Sequence, residues 1–247
     1  MSRISKNKKT LTKKLLITIV VPFFNEQENL GILFDKICSF IKSRSKEKYE
    51  ILFINDCSTD KSAELIKKLI KKKTNFFFYD LKKRSGQSGC FNFAFKKMKG
   101  DYFIRIDSDL QDDPKDLTQI VNALKKGKDI VLGVRKDRKH SYILLKITEA
   151  YDSFVRFFFK IKSRSFSCSM LGIKYKFIRK LHLKNCDHRF LPLILVSSRG
   201  AKLSTVNVSH HQRLFGKSKY NIFKKLVFGF FEFFRVYIRI KKGEYDF

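Results

Sequence analysis

The chain has 247 residues, of which 43% are hydrophobic and 15% aromatic, and it carries 54 Lys+Arg against 23 Asp+Glu, a net charge of +31. The length and apolar content exclude a disordered chain and suit one large domain, or a domain with an appendage. The charge calls for an anionic partner: nucleic acid, an anionic membrane or a phosphorylated substrate.

In chain order, Met1 to Lys14 reads as a flexible basic arm, with no secretory leader in it. LLITIVVP (Leu15–Pro22) is a continuous β-branched run, as a strand buried on both faces would be. A helix is expected from about Glu28 to Arg44. YEILFIND (Tyr49–Asp56) is a second buried strand, and a helix follows it, capped by Ser58 or Thr59 and running to about Lys72. NFFFYDL (Asn75–Leu81) is a third strand, Gly86–Met98 a helix, and GDYFIRID (Gly100–Asp107) a fourth strand. Pro114 opens the next helix, where proline is tolerated, with Asp112 and Asp113 as its caps. KDIVLGVR (Lys128–Arg135) is a fifth strand. Beyond it we expect a helix over Tyr142–Phe159, a short strand over Met170–Tyr175, a helix over Phe190–Ser198, a strand over Ala201–His210 and a loop over Arg213–Tyr220. The alternation predicts an α/β fold with a mostly parallel sheet covered by helices on both faces.

In such sheets ligands sit beyond the carboxyl ends of the strands. The polar residues gather there: Asn25 and Glu26 after the first strand, Asp56 after the second, Arg84 after the third, Asp107 and Asp109 after the fourth, Arg135 after the fifth. IRIDSDLQDDP concentrates four aspartates within seven residues of a strongly basic chain, which is costly unless a cation sits among them. Asp107 and Asp109, spaced i and i+2, can point the same way, and two hard carboxylates suit Mg²⁺ or Mn²⁺; Gln111 continues the alternation with an amide oxygen. The competing reading of Asp107 and Asp109 as plain helix caps is weaker, because they follow the apolar strand so closely. The five cysteines (Cys38, Cys57, Cys90, Cys168, Cys186) form no CxxC pair and read as free thiols. His210 and His211, adjacent in a strand, face opposite ways and read as surface or packing residues.

The order VVPFFNE, INDCSTD, KRSGQSG, DSDLQDDP, GVRKDR, RLFGKSKY resembles the inverting glycosyltransferases of the GT-A fold, family 2, and more narrowly the polyprenyl-phosphate hexosyltransferases of the dolichol-phosphate mannose synthase type. The resemblance runs from Ile17 to about Phe228. It departs from the usual pattern at Arg84-Ser85, at Asp112-Asp113-Pro114 and in SMLGIKY after Cys168. It implies a UDP- or GDP-sugar donor, a divalent metal (Mg²⁺ or Mn²⁺) and an undecaprenyl or dolichyl phosphate acceptor. It further implies that Pro22, Asn25, Glu26, Asp56, Arg84, Gln87 and Asp107 line the nucleotide-sugar pocket, that Asp107, Asp109 and Gln111 hold the metal, and that Arg135, Arg138, Arg213, Ser218 and Lys219 meet the acceptor phosphate. Asp107, Asp109 and Arg135 would carry the catalysis. A phosphate monoester is largely dianionic at neutral pH, so such an acceptor needs cationic positioning and no general base.

No uncharged apolar run reaches the roughly 18–20 residues that a spanning helix needs. Phe223, Leu226, Val227, Phe230, Phe231, Phe234, Tyr237 and Ile238 instead fall near helical spacing among Lys224, Lys225, Arg235, Arg239, Lys241 and Lys242, as in an interfacial helix on an anionic membrane. The FVRFFFK stretch within Tyr142–Phe159 is a second candidate. The expected organisation is a basic arm at 1–14, a catalytic domain at 15–220 and a membrane-associating tail at 221–247. It implies peripheral attachment to the cytoplasmic face of a membrane and room for a membrane-protein partner. Two alternatives stay open. A related enzyme of cell-envelope polysaccharide synthesis could use a sugar or lipid hydroxyl as acceptor and would need a base, for which Glu149 and Asp187 are weak candidates. A nucleic-acid-binding protein would explain the charge, but the basic residues form no recognition motif, and no nucleic acid is expected.

Overall fold

The computed structural model describes residues 15–44, 46–135, 142–159, 170–209, 211 and 222–247. The strands are β1 (Leu16–Phe23), β2 (Lys48–Asn55), β3 (Phe76–Asp80), β4 (Tyr102–Arg105), β5 (Ile130–Arg135), β6 (Leu171–Lys174) and β7 (Leu203–Val208). The helices are α1 (Gln27–Lys42), α2 (Ser62–Ile70), α3 (Gly86–Lys97), α4 (Leu117–Lys125), α5 (Tyr142–Phe159), α6 (Tyr175–Ile178), α7 (Leu191–Arg199) and α8 (Ile222–Lys241). The α/β alternation and the mostly parallel sheet are as expected. Among the described residues the sheet has seven strands in the order β3-β2-β1-β4-β6-β5-β7. β3, β2, β1 and β4 are mutually parallel, and β6 alone runs antiparallel to both its neighbours. Two reversals restore the direction, so β5, and β7 parallel to it, point the same way as β1.

The apolar runs explain the layering. Every residue of β1 from Ile17 on and of β2 from Tyr49 on is buried, so both strands need helices on each face. α1 buries Leu30, Leu33, Phe34, Ile37 and Phe40, and α4 buries Leu117, Ile120, Val121 and Leu124, each set at helical spacing. α4 lies directly on β6 at Gly172, where a Cβ would come within 2.4 Å of Ile120. Two expectations are corrected. α2 starts at Ser62, not beside Ser58 and Thr59: those hydroxyls turn to Asn25 across the loop, and Asp60 accepts the Ser62 N–H at 3.0 Å instead. At Pro114 a 3₁₀ turn (Pro114–Asp116) precedes α4; Asp113 caps it through the Lys115 N–H, whereas Asp112 is 1% exposed and sits inside. The expected arm at residues 1–14, the loop Arg213–Tyr220, His210 and Cys168 lie outside the described residues; Cys38, Cys57, Cys90 and Cys186 are free thiols.

The chain beyond α8 returns to the body of the domain. Arg199, the last residue of α7, is buried and gives its Nε to the Tyr245 carbonyl (2.7 Å), Nη1 to the carbonyls of Phe177 (3.0 Å) and Arg179 (2.8 Å), and Nη2 to that of Asp246 (3.3 Å). Gly200 in the left-handed region (φ +63°) lets the chain turn away behind it. Asp187, fully buried, accepts from Arg239 of α8 (2.9 Å), from the Tyr245 hydroxyl (2.7 Å) and from the Lys184 N–H (2.6 Å). α8 is therefore latched at its C-terminal end by two charged groups, each satisfied from several sides. Removing Arg199 strands buried carbonyls, so Arg199→Ala is expected to lower the unfolding free energy by about 2–4 kcal/mol, read from urea titrations followed by circular dichroism. Arg199→Lys should recover only part of it, since one ammonium cannot span four carbonyls; an unchanged midpoint in the alanine variant would show the latch to be idle.

Candidate active site

The strand order sets the lateral order of the site. Reading along the carboxyl edge from β3, the sheet presents Arg84, Asp56, Asn25 with Glu26, Asp107 with Asp109, and, across β6, Arg135. Arg135 closes β5 on this edge. Arg138, Arg213, Ser218 and Lys219 lie outside the described residues. Three residues at these exits take left-handed backbone although none is glycine: Asn25 (φ 55°), Cys57 (φ 61°) and Leu110 (φ 58°). Such strain persists where surrounding contacts over-determine it, and here it marks the ends of β1, β2 and β4.

Asp56 anchors the first half of the edge. Its carboxylate, 4% exposed, accepts Arg84 Nε at 2.8 Å, the Ser85 N–H at 2.7 Å and the Gly86 N–H at 3.0 Å. The Arg84 guanidinium lies over the ring of Phe24, 3.0 Å from its centroid. Beside it, Asn25 joins the loops after β1 and β2: its backbone N–H reaches Ser58 Oγ, and its side-chain Oδ1 takes the Thr59 N–H at 2.7 Å. The Glu26 carboxylate accepts the Asn29 amide at 2.6 Å. Pro22 is buried within β1. A cavity of about 360 Å³, lined by Arg84, Ser85, Ser88, Asn92 and Lys184 among others, opens beside the first turn of α3.

The acidic loop forms the second half. Asp107 and Asp109 stay partly open to solvent while Ser108 and Leu110 are buried, the alternation a chain leaving a strand produces. Asp107 Oδ1 is 3.3 Å from Arg105 Nε and 3.3 Å from Gln87 Nε2; Asp109 Oδ1 accepts the Gln111 N–H at 3.2 Å. Among the described residues no group of three or more His, Cys, Asp or Glu could hold a metal. Asp107 and Asp109 thus offer two hard carboxylates and no closed cage. That donor set fits an ion such as Mg²⁺, which is commonly held by one or two carboxylates and completes its shell with water and substrate phosphate.

Sequence reasoning missed two features. First, β7 is tied to the acidic loop: buried Asp116 accepts both the N–H (2.6 Å) and the hydroxyl of Ser209, and the His211 N–H reaches the Gln111 carbonyl at 2.8 Å. Second, Ser88 on α3 meets His188, ring Nδ1 to hydroxyl oxygen, at 3.0 Å. Burial, helped by Arg105 and Arg189, pushes His188 down to about 3, so the ring is neutral. The one local signal for either was the acid-rich spacing around Pro114, which singled out capping and not the partner just after β7.

Comparison with known proteins bears on this geometry. The chain is 28% identical over 211 residues to an undecaprenyl-phosphate 4-deoxy-4-formamido-L-arabinose transferase of Edwardsiella ictaluri, covering 84% of this chain and 64% of that one. It is 28% identical over 217 residues to a dodecaprenyl-phosphate galacturonate synthase of Rhizobium johnstonii, covering 85% and 63%. The chain thus spans just under two thirds of the length of these curated relatives. Among solved structures it superposes on mannosyl-3-phosphoglycerate synthase from Rubrobacter xylanophilus with a TM-score of 0.72 at 14% identity, covering 93% of this chain and 75% of that one. It also superposes on a mannosyltransferase from Pyrobaculum calidifontis solved with GDP-Man and Mn²⁺, with a TM-score of 0.60 at 16% identity, covering 87% and 61%. These likenesses establish the GT-A fold. The model of glycosyl transferase family 2 matches residues 18–185, from the first strand through the acidic loop to the turn before His188, and the chain belongs to that family of glycosyltransferases.

Proposed function

We propose that this glycosyltransferase moves a hexose from a UDP- or GDP-sugar to a polyprenyl phosphate, with inversion and with a divalent metal. The observation that carries the reading is the partly exposed pair Asp107 and Asp109 on the same strand edge as the Asp56–Arg84 pocket. Asp56, Arg84 and Asn25 would shape the nucleoside end of the donor. Asp107 and Asp109, with Gln111, would hold Mg²⁺ or Mn²⁺, which offsets the negative charge that builds on a departing diphosphate. Arg135, with Arg138, Arg213, Ser218 and Lys219, would steer the acceptor phosphate, and guanidinium groups suit this by their bidentate geometry. In the transfer an acceptor phosphate oxygen attacks the anomeric carbon from the face opposite the diphosphate. The new C–O bond forms as the old one breaks, and the nucleoside diphosphate leaves with the bonding pair.

A hydroxyl acceptor would need a side chain to remove its proton. Neither candidate suits that role: Asp187 is fully buried behind three donors, and Glu149 stands exposed on α5, paired with Lys146 at 3.3 Å. A phosphate acceptor needs no base, in keeping with the polyprenyl-phosphate names of the two relatives above. The test is a transfer assay with radiolabelled UDP- and GDP-sugars, Mn²⁺ or Mg²⁺ and a polyprenyl phosphate. Label should enter the lipid phase, vanish with EDTA and fall about 100-fold or more in Asp109→Ala. Donor hydrolysis with no label in the lipid would refute the acceptor assignment.

Membrane attachment belongs to the same proposal. Among the described residues no helix is long and apolar enough to cross a membrane. α5 and α8 pack through Phe154, Phe158 and Phe233, yet leave Phe157 (79% exposed), Phe231 (65%) and Ile238 (51%) outside. Arg235, Lys241 and Lys242 are exposed on or just after α8. An aromatic face with cationic neighbours suits the headgroup region of an anionic, cytoplasm-facing monolayer. The double variant Phe157→Ser/Phe231→Ser is expected to bind anionic vesicles at least about tenfold more weakly in flotation assays, with its melting temperature unchanged. Undiminished flotation would sink this part of the reading.

A further inference from the structure

The first turn of α3 is where three parts of the molecule meet. Gly86 donates its N–H to Asp56, and Gln87 reaches Asp107 with its side-chain amide. The next residue, Ser88, is 3% exposed, and its hydroxyl oxygen takes the His188 N–H at 3.2 Å and lies 3.0 Å from His188 Nδ1. With the oxygen already accepting a backbone proton, the contact is completed when the Ser88 hydroxyl donates to an unprotonated Nδ1.

No side-chain cap reinforces this turn beyond its own backbone bonds, such as Gly89 N–H to the Ser85 carbonyl at 3.2 Å. Ser85 stands at the N-cap position but makes no side-chain capping bond, and its hydroxyl turns back to the Lys83 carbonyl. The contacts that orient it come from outside, from Asp56 on one side and His188 on the other. His188 is itself held in place by its neighbours. It follows Asp187, which is held by Arg239, Tyr245 and Lys184, and its ring stands edge-on to Phe91 with centroids 6.3 Å apart. Phe91 in turn lies under the Arg105 guanidinium, 5.6 Å away.

We propose that His188 is a positioning residue for the nucleotide-sugar donor: by gripping Ser88 it fixes the turn that aims the Gly86 N–H and the Gln87 amide at the carboxylates of Asp56 and Asp107. The inference rests on the donor reading above, and His188 itself touches no substrate. Its neutral state keeps the Nδ1 acceptor available across the working pH range.

The test is calorimetric binding of UDP and of GDP, each with Mn²⁺, to the full chain, with donor KM and kcat and the melting temperature measured alongside. His188→Leu keeps bulk without the acceptor; His188→Asn places a carbonyl oxygen near the position of Nδ1. His188→Leu is expected to weaken nucleotide binding and raise donor KM about tenfold, the effect of one well-placed interaction, while kcat and acceptor KM change much less. His188→Asn should recover most of the binding although it loses the same ring packing. Ser88→Ala should reproduce His188→Leu, and the double variant should be no worse than either. Binding by His188→Leu equal to wild type overturns the inference, as does a His188→Asn variant as weak as the leucine variant, which would make the role one of packing. If the wild-type chain binds neither UDP nor GDP, the donor reading falls first and takes the inference with it.

Discussion

A strand buried on both faces can carry polar chemistry only where it leaves the sheet. β1 and β2 are such strands, and their buried runs end at Asn25 and Asp56. This constraint concentrates the site. Because β3, β2, β1 and β4 run parallel and β5 regains their direction across β6, the exits of these five strands, with their charged and amide side chains, open on one edge. Asp56 shows the cost. Its nearly buried carboxylate is tolerable because two backbone N–H groups and a guanidinium converge on it.

The acidic loop obeys the same rule with different partners. Asp107 lies beside Arg105 and Gln87, and Asp113 beside Lys36 and Lys115. Burial alone would raise the Asp113 carboxyl, but the Lys115 N–H and the two lysines outweigh it and hold it below the usual range. The concentration of acids in a basic chain is thus partly answered by cations of the same chain. Asp107, Asp109 and Asp113 stay partly exposed, whereas Asp112 is buried.

The strands and long helices were legible because their signals are local: β-branched runs for β1 and β2, and a 3.6-residue period for α1, α4, α5 and α8. The edge residues were legible because a run of apolar residues ends at each. What escaped was pairing across long separations. Ser58 and Thr59 look like a helix cap in isolation, and only the approach of Asn25, over thirty residues earlier, recruits them to a loop–loop bond. Ser88 and His188 lie 100 residues apart, and Arg199 grips Tyr245 across 46. No periodicity encodes such contacts, since each is a product of the completed sheet order.

The latch on α8 ties the outer aromatic face to the strand edge through a chain of direct contacts. Phe231 and Arg239 share a helix, Arg239 grips Asp187, and the peptide after Asp187 begins the contact with α3. A surface that engages Phe231 and Ile238 thereby fixes the tilt of the whole sheet relative to itself. On the membrane attachment proposed above, this would set the height and angle at which Asp107 and Asp109 stand above the headgroups. Attachment of that kind would act as an alignment device, presenting the strand edge at one depth to the proposed lipid-phosphate substrate, whose phosphate is confined to a plane.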